Sequence, residues 1–264
     1  MMFTLGLKKL FAIVMTGLMS GCASGPRINT DYTAISQDSR AQFLILHYTA
    51  VDFAGSLNEL SRGPVSAHYL VNESPPTIYQ LVDENHRAYH AGRSSWQGQT
   101  MLNAASIGIE IVNLGYQETT NGRVWFEFAQ PQIDTVIALV RDIVQRHGIK
   151  PERILGHHEI APQRKQDPGP RFPWKQLADA GLIAWPDADL VALKKIAYTQ
   201  QLPDTAWFQE KLAIHGYAVP RHGEFDEATR NVIASFQMRY RPAVFDGVPD
   251  ADTAALLEVV INSR

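Results

Sequence analysis

Gln42-Phe43-Leu44-Ile45-Leu46-His47 is a nearly continuous apolar run that ends in a polar residue. A run of this length without alternation is what a strand buried on both faces of a central sheet requires. Strand-like runs recur at 68–71, 77–82, 106–112 and 153–157. Between the last two the sequence predicts a helix. Pro131 stands in its first turn, Gly148 closes it, and Ile133, Val136, Ile137, Val140, Ile143 and Val144 recur at i, i+3, i+4, i+7 spacing. Strands interleaved with helices predict an α/β domain over residues 41–183, and pattern alone leaves open whether its sheet is parallel or mixed.

The 264 residues are 45% hydrophobic and 19% charged, which excludes a wholly disordered chain. The formal net charge is -3, and it becomes more negative once residues 1–21, which hold Lys8 and Lys9 and no acid, are set aside. Nucleic acid is therefore not an expected partner. Cys22 is the single cysteine, so no internal disulfide and no thiolate cluster can form, and any metal must be held by nitrogen and oxygen.

Residues 1–21 read as an address. Lys8 and Lys9 precede an apolar run from Leu10 to Met19, about half the ~20 residues a membrane span needs, and Ser20 and Gly21 follow. Leu18-Met19-Ser20-Gly21-Cys22 resembles the lipobox of bacterial lipoproteins, although Met19 stands where Leu is usual. The resemblance implies an acylated Cys22 and a membrane attachment through lipid. Ala23, a residue other than Asp after the cysteine, implies sorting to the outer membrane, facing the periplasm. Residues 22–40 are polar and poor in large apolar side chains, as a tether should be.

At the other end, 184–202 reads as a linker and 203–264 as a small helical domain. Phe208, Leu212 and Tyr217, then Val232, Ile233 and Phe236, then Ala255, Leu256, Val259 and Val260 mark three short amphipathic helices, a minimal bundle. Besides the scattered His215 and His222 it carries no histidine-acid cluster, so binding is expected of it rather than catalysis. The α/β domain is expected to act on soluble substrate without it.

The residues suited to chemistry lie in the α/β domain. His47 falls at the carboxyl end of the first strand, where open α/β sheets place their crevices. Residues 156–170, GHHEIAPQRKQDPGP, are dense in histidine, acid and lysine and are stiffened by Pro162, Pro168 and Pro170. Two imidazoles and one carboxylate leave the fourth tetrahedral position of a zinc ion open to water, as a catalytic zinc requires. His157 and His158 point to opposite faces if the strand reaches that far, so one is a bystander, and spacing does not choose between them. Lys165 and Asp167, two apart, project to the same side of an extended loop. In Ser106–Asn113, SIGIEIVN, Ile107, Ile109 and Ile111 face one way and Glu110 the other. A carboxylate in an apolar strand is costly unless it is paired or solvated in a cleft; general-base work on a water is one reason for it, an ion pair another.

Five stretches together, LILHYTA at 44–50, VSAHYLV at 65–71, YHAG at 89–92, SIGIEIVN at 106–113 and GHHEIAPQRKQDPGPRFPW at 156–174, resemble the zinc N-acetylmuramoyl-L-alanine amidases of the type 2 family. Residues 203–264 resemble the peptidoglycan-binding module that the outer-membrane lipoprotein members carry. The resemblance implies a mixed central β-sheet flanked by helices, plus a small C-terminal three-helix bundle. It makes His47, His157 and Asp167 the zinc ligands, Glu110 the base on the attacking water and Lys165 the oxyanion stabiliser. His68 and His90 match family positions near the cleft and are expected to touch substrate or to pack beside it. The implied substrate is peptidoglycan, cut at the amide between the muramic lactyl group and L-alanine. The alternative is a peptidoglycan-binding lipoprotein without catalysis, but such recognition proteins typically lack the third ligand, which Asp167 supplies.

Overall fold

The computed structural model describes residues 25–263, so the signal-peptide and Cys22 readings lie outside the described residues. The chain forms two units, 1–37 and 38–264. In the first, residues 25–37 are exposed and carry neither helix nor strand. All the strands and helices described below belong to the second.

Five strands build the main sheet: β1 (Phe43–Tyr48), β2 (Tyr69–Val71), β3 (Ile78–Gln80), β6 (Ser106–Ile111) and β9 (Ile154–Gly156). Two short ribbons lie apart from it, β4 (Ser95–Trp96) with β5 (Gln99–Thr100) and β7 (Tyr116–Thr119) with β8 (Gly122–Trp125). The sheet order is β3-β2-β6-β1-β9. β2, β6, β1 and β9 run parallel, and β3 pairs antiparallel at the edge, so the sheet is mixed. Helix α1 (Phe53–Arg62) follows β1, its first turn capped by Asp52, whose carboxylate accepts the Gly55 N–H at 2.8 Å.

Residue alternation sends successive side chains of β1 and β9 to opposite faces and into different cores. Leu44, Leu46, Ile107, Ile109, Ile111 and Ile154 pack with Ile133, Val136, Val140 and Ile143 of α2 (Gln130–His147). That helix has Pro131 in its first turn and ends at Gly148 in the left-handed conformation, as its sequence predicts. The other face presents Phe43, Ile45 and Leu155. These join one apolar cluster with Phe208 and Leu212 of α6 (Thr205–His215), Val232, Ile233 and Phe236 of α7 (Glu227–Tyr240), and Leu257 of α8 (Ala251–Asn262). The three C-terminal helices expected from the sequence are present. Their core, however, is continuous with that of the sheet, and they cover its second face.

Two short helices, α3 (His157–Ile160) and α4 (Trp174–Asp179), follow β9. The segment 184–202, read as a linker, contains helix α5 (Ala188–Gln200), capped by Asp187 and packed along α8, where Lys194 Nζ lies 2.8 Å from Glu258. Its large apolar residues Leu190, Leu193 and Ile196 face solvent, and so no buried stripe announced it. Arg40, at the expected end of the tether, already holds the fold: its Nε donates to the Glu84 carbonyl at 2.6 Å. No helix of the described residues is long and apolar enough to cross a membrane.

Candidate metal centre

Parallel pairing places His47 beside Glu110, since β1 and β6 are in register there, and β9 delivers its chain end to the same edge. The strand stops at Gly156, and α3 begins with His157. His157 and His158 are thus successive helical residues rather than strand neighbours. His157 turns to the site. His158 turns away and is buried, with its Nδ1 2.8 Å from Ser235 Oγ. Gly156 permits this packing, because a Cβ there would lie 2.7 Å from His158 Nε2 and 2.8 Å from Pro168 Cδ.

His47 Nδ1, His157 Nδ1 and Asp167 Oδ2 converge. The separations are 3.0 Å between the two nitrogens, 2.9 Å from His47 to Asp167 and 3.0 Å from His157 to Asp167. Tetrahedral coordination at zinc bond lengths needs donor separations of about 3.3 Å, so shifts of a few tenths of an ångström fit the trio to such an ion.

Hydrogen bonds behind the donors set their tautomers. Ser106 Oγ donates to the Leu102 carbonyl at 2.7 Å, so it accepts from His90 Nε2 at 3.1 Å. His90 Nδ1 then carries a lone pair and accepts from His47 Nε2 at 3.0 Å. This leaves a lone pair on His47 Nδ1, aimed at Asp167. His157 Nε2 donates to the Ala91 carbonyl at 3.1 Å, freeing its Nδ1 in the same way. Two imidazole lone pairs and a carboxylate oxygen at such distances repel one another unless a cation lies among them. The site therefore fits a metal ion on its own chemistry, and nitrogen and oxygen donors without sulfur suit zinc among the common choices. Burial, reinforced by His157 and opposed by Asp167, pushes His47 down to about 4, the neutral form a ligand needs. Burial alone would raise Asp167, but His157 and His47, when those rings carry a proton, outweigh it and hold it well below the usual carboxylate range, so the third donor is an ionised carboxylate.

Glu110 is close to the donors without joining them, Oε1 standing 4.0 Å from His47 Nδ1. Its Oε2 is buried without a hydrogen-bond partner. Burial first, and then Asp167, raise its pKa well above the ordinary value, with Lys165 opposing. Among the described residues no lysine or arginine lies within ion-pair distance of Glu110, and its one such contact is with the neutral His47, which leaves the base reading in place. Lys165, Glu110, His90, His157 and Asp167 all line one cleft of about 570 Å³.

The two remaining expected residues separate. His90 lines the cleft and supports His47. His68 is wholly buried behind it, the two rings 5.8 Å apart, with Nδ1 accepting the Gly108 N–H at 3.0 Å. His68 does not line the cleft, because His90 fills the space in between. Gly108 makes that space: a Cβ there would lie 2.5 Å from His90 Nδ1. The sequence reading missed Arg164, whose guanidinium donates to the Ala91 and Arg93 carbonyls, and Arg123 and Asn231 in the cleft wall. Arg164 stands inside the 156–174 motif. Arg123 and Asn231 carry no local signal.

Residues 37–170 match the family model described as N-acetylmuramoyl-L-alanine amidase, and residues 201–257 match that of a putative peptidoglycan binding domain. The chain belongs to the N-acetylmuramoyl-L-alanine amidase family. It is 41% identical to N-acetylmuramoyl-L-alanine amidase AmiD of Escherichia coli, over 97% of this chain and 98% of that one. The solved complex of E. coli AmiD with the substrate anhydro-N-acetylmuramic acid-L-Ala-D-gamma-Glu-L-Lys matches with a TM-score of 0.82 at 42% identity, covering 90% of this chain and 95% of that one. AmpDh3 of Pseudomonas aeruginosa matches with a TM-score of 0.83 at 36% identity, covering 91% and 98%.

Proposed function

We propose that this chain is a zinc hydrolase that cuts the amide between the lactyl group of N-acetylmuramic acid and the L-alanine of the peptidoglycan stem. The observation that carries the reading is the convergence of His47 Nδ1, His157 Nδ1 and Asp167 Oδ2 at one end of the cleft that Glu110 and Lys165 line. Its similarity to AmiD supports the substrate.

When bound by these three donors, zinc supplies Lewis acidity, which acidifies water toward a pKa of ~7 and polarises a carbonyl. Glu110, whose carboxyl burial makes more basic than an ordinary carboxylate, takes the proton of the attacking water and returns it to the departing alanine amine. The Lys165 ammonium faces the same cleft and stabilises negative charge growing on the carbonyl oxygen. Arg123 and Arg164 add cations to a wall suited to an acidic sugar-peptide. Asp167→Ala should lose zinc and turnover together, whereas Glu110→Ala and Lys165→Ala should keep zinc and lose rate, Glu110→Ala by ~10²- to 10⁴-fold. Elemental analysis beside amidase assays decides it: zinc lost from Glu110→Ala, or zinc and activity kept by Asp167→Ala, overturns the roles.

The lipobox-like segment supports the further reading of an outer-membrane lipoprotein, acylated at Cys22 and facing the periplasm. One acyl chain binds membranes only marginally, so several are implied. Fractionation tests it: Cys22→Ala should leave the membrane, and an unchanged distribution overturns the reading.

A further inference from the structure

Helix α7 of the C-terminal domain reaches into the sheet domain at two buried places, and both lie on α3. Arg239 Nη1 donates to Glu159 Oε2 at 2.7 Å and to the Ile154 carbonyl at 3.1 Å. The same Glu159 oxygen accepts the Gly156 N–H at 2.8 Å. One turn earlier on α7, Ser235 Oγ donates to the His158 carbonyl at 2.9 Å while His158 Nδ1 approaches it to 2.8 Å. The residues on either side of His157 are therefore tied to α7. A third link runs onward: the His158 N–H donates to the carbonyl of Asp167 at 2.9 Å.

A helix of four residues has too few internal hydrogen bonds to hold its own orientation. What holds α3 must come from outside it. Arg239 and Glu159 side chains are only 4% and 1% exposed, and a buried ion pair rarely adds stability over apolar residues of the same volume. What such a pair does provide is direction, because the charge-assisted bond from Nη1, itself held by the Ile154 carbonyl, fixes the one carboxylate oxygen it meets. Here that carboxylate also fixes Gly156, the residue before His157.

We infer that the C-terminal helical domain is a built-in support of the metal centre: Arg239, through Glu159, and Ser235, through His158, are positioning residues that hold α3 so that His157 and Asp167 face His47. The inference rests on the ligand set proposed above. A module that only captured wall would need neither contact, since both are sealed from solvent at the boundary with the sheet.

The test uses the full-length protein with Glu159→Gln and Arg239→Met combined. The amide oxygen still accepts from Gly156, and neither buried charge is left alone, so the double variant should melt within a few degrees of the parent. Zinc affinity, read by competition with a chromophoric chelator, should weaken roughly tenfold or more, the scale seen when groups behind metal ligands are lost. On a soluble muramyl peptide kcat should fall with KM unchanged, saturating zinc should restore kcat, and sacculus pull-down should be unaltered. Ser235→Ala, which removes one hydroxyl and leaves every charge in place, should shift zinc affinity in the same direction and carries the test if the double variant does not fold. Zinc affinity equal to the parent in both variants overturns the inference. A parent protein whose zinc affinity is unaffected by Asp167→Ala overturns the ligand set instead, and the two failures are thereby told apart.

Discussion

His47 Nε2 lies 3.0 Å from His90 Nδ1, and through Ser106 that contact is anchored to the carbonyl of Leu102. A relay of hydrogen bonds beginning at a backbone oxygen thus decides which nitrogen of His47 is free to bind metal. His90 acts on the site through His47, from the wall of the cleft.

His90→Ala should therefore weaken zinc binding by ~10- to 100-fold. Chelator competition measures this directly. A variant that kept its zinc affinity and raised only KM would show instead that His90 serves substrate binding.

Gly108 is the complement of His90, since a Cβ added there falls within 2.5 Å of the ring. Gly108→Ala should cost about 1–3 kcal/mol in overpacking and displace the His90 ring. Thermal melting and zinc affinity should fall together. Retention of both would mean that the strand yields at this point without cost.

Glu84 gives the fold a pH dependence of calculable sign. Burial alone would raise its pKa, but hydrogen bonds from Arg146, His147 and Tyr69 outweigh it and pull the carboxyl down to about 2. A folded pKa below the unfolded value of about 4.3 means stability that is present above that value and lost as pH falls through about 2. Glu84→Gln should melt lower than the parent at neutral pH, with the gap closing between pH 5 and 2. A gap of constant size across that range would remove Glu84 from the acid response.

Removal of residues 203–264 should do more than abolish wall binding. The truncated chain would uncover Phe43, Ile45 and Leu155, each worth roughly 1.5–3 kcal/mol when buried, and would leave Glu159 without Arg239. Against a total stability of about 5–15 kcal/mol, a chain ending at Leu202 should melt much lower or aggregate, and should turn over soluble substrate poorly. The sequence alone predicts a truncated chain that still cleaves soluble substrate while losing the wall, and full activity with an unchanged melting temperature would restore that expectation.

Much of this molecule is written in short-range pattern. Apolar runs locate the five strands of the main sheet, and proline, glycine and 3.6-residue spacing bound α2, because strand burial and helix capping are local events. His47 at a strand end and Glu110 opposite three isoleucines follow from alternation, which is why the sequence names the residues of one edge. Choosing His157 over His158 required the family resemblance, and its physical reason is tertiary: the strand stops one residue earlier than the apolar run suggests, and Asp167 and Ser235 claim the backbone and side chain of His158. Alternation also shows that Phe43 and Ile45 need cover, but it does not say from where. That cover comes from helices more than 160 residues along the chain. The burial of His68 behind His90, the exposed apolar face of α5 and the grip of Arg239 on Glu159 share this origin. Each depends on which surfaces meet after folding, and a contact between distant residues leaves no periodicity in either segment.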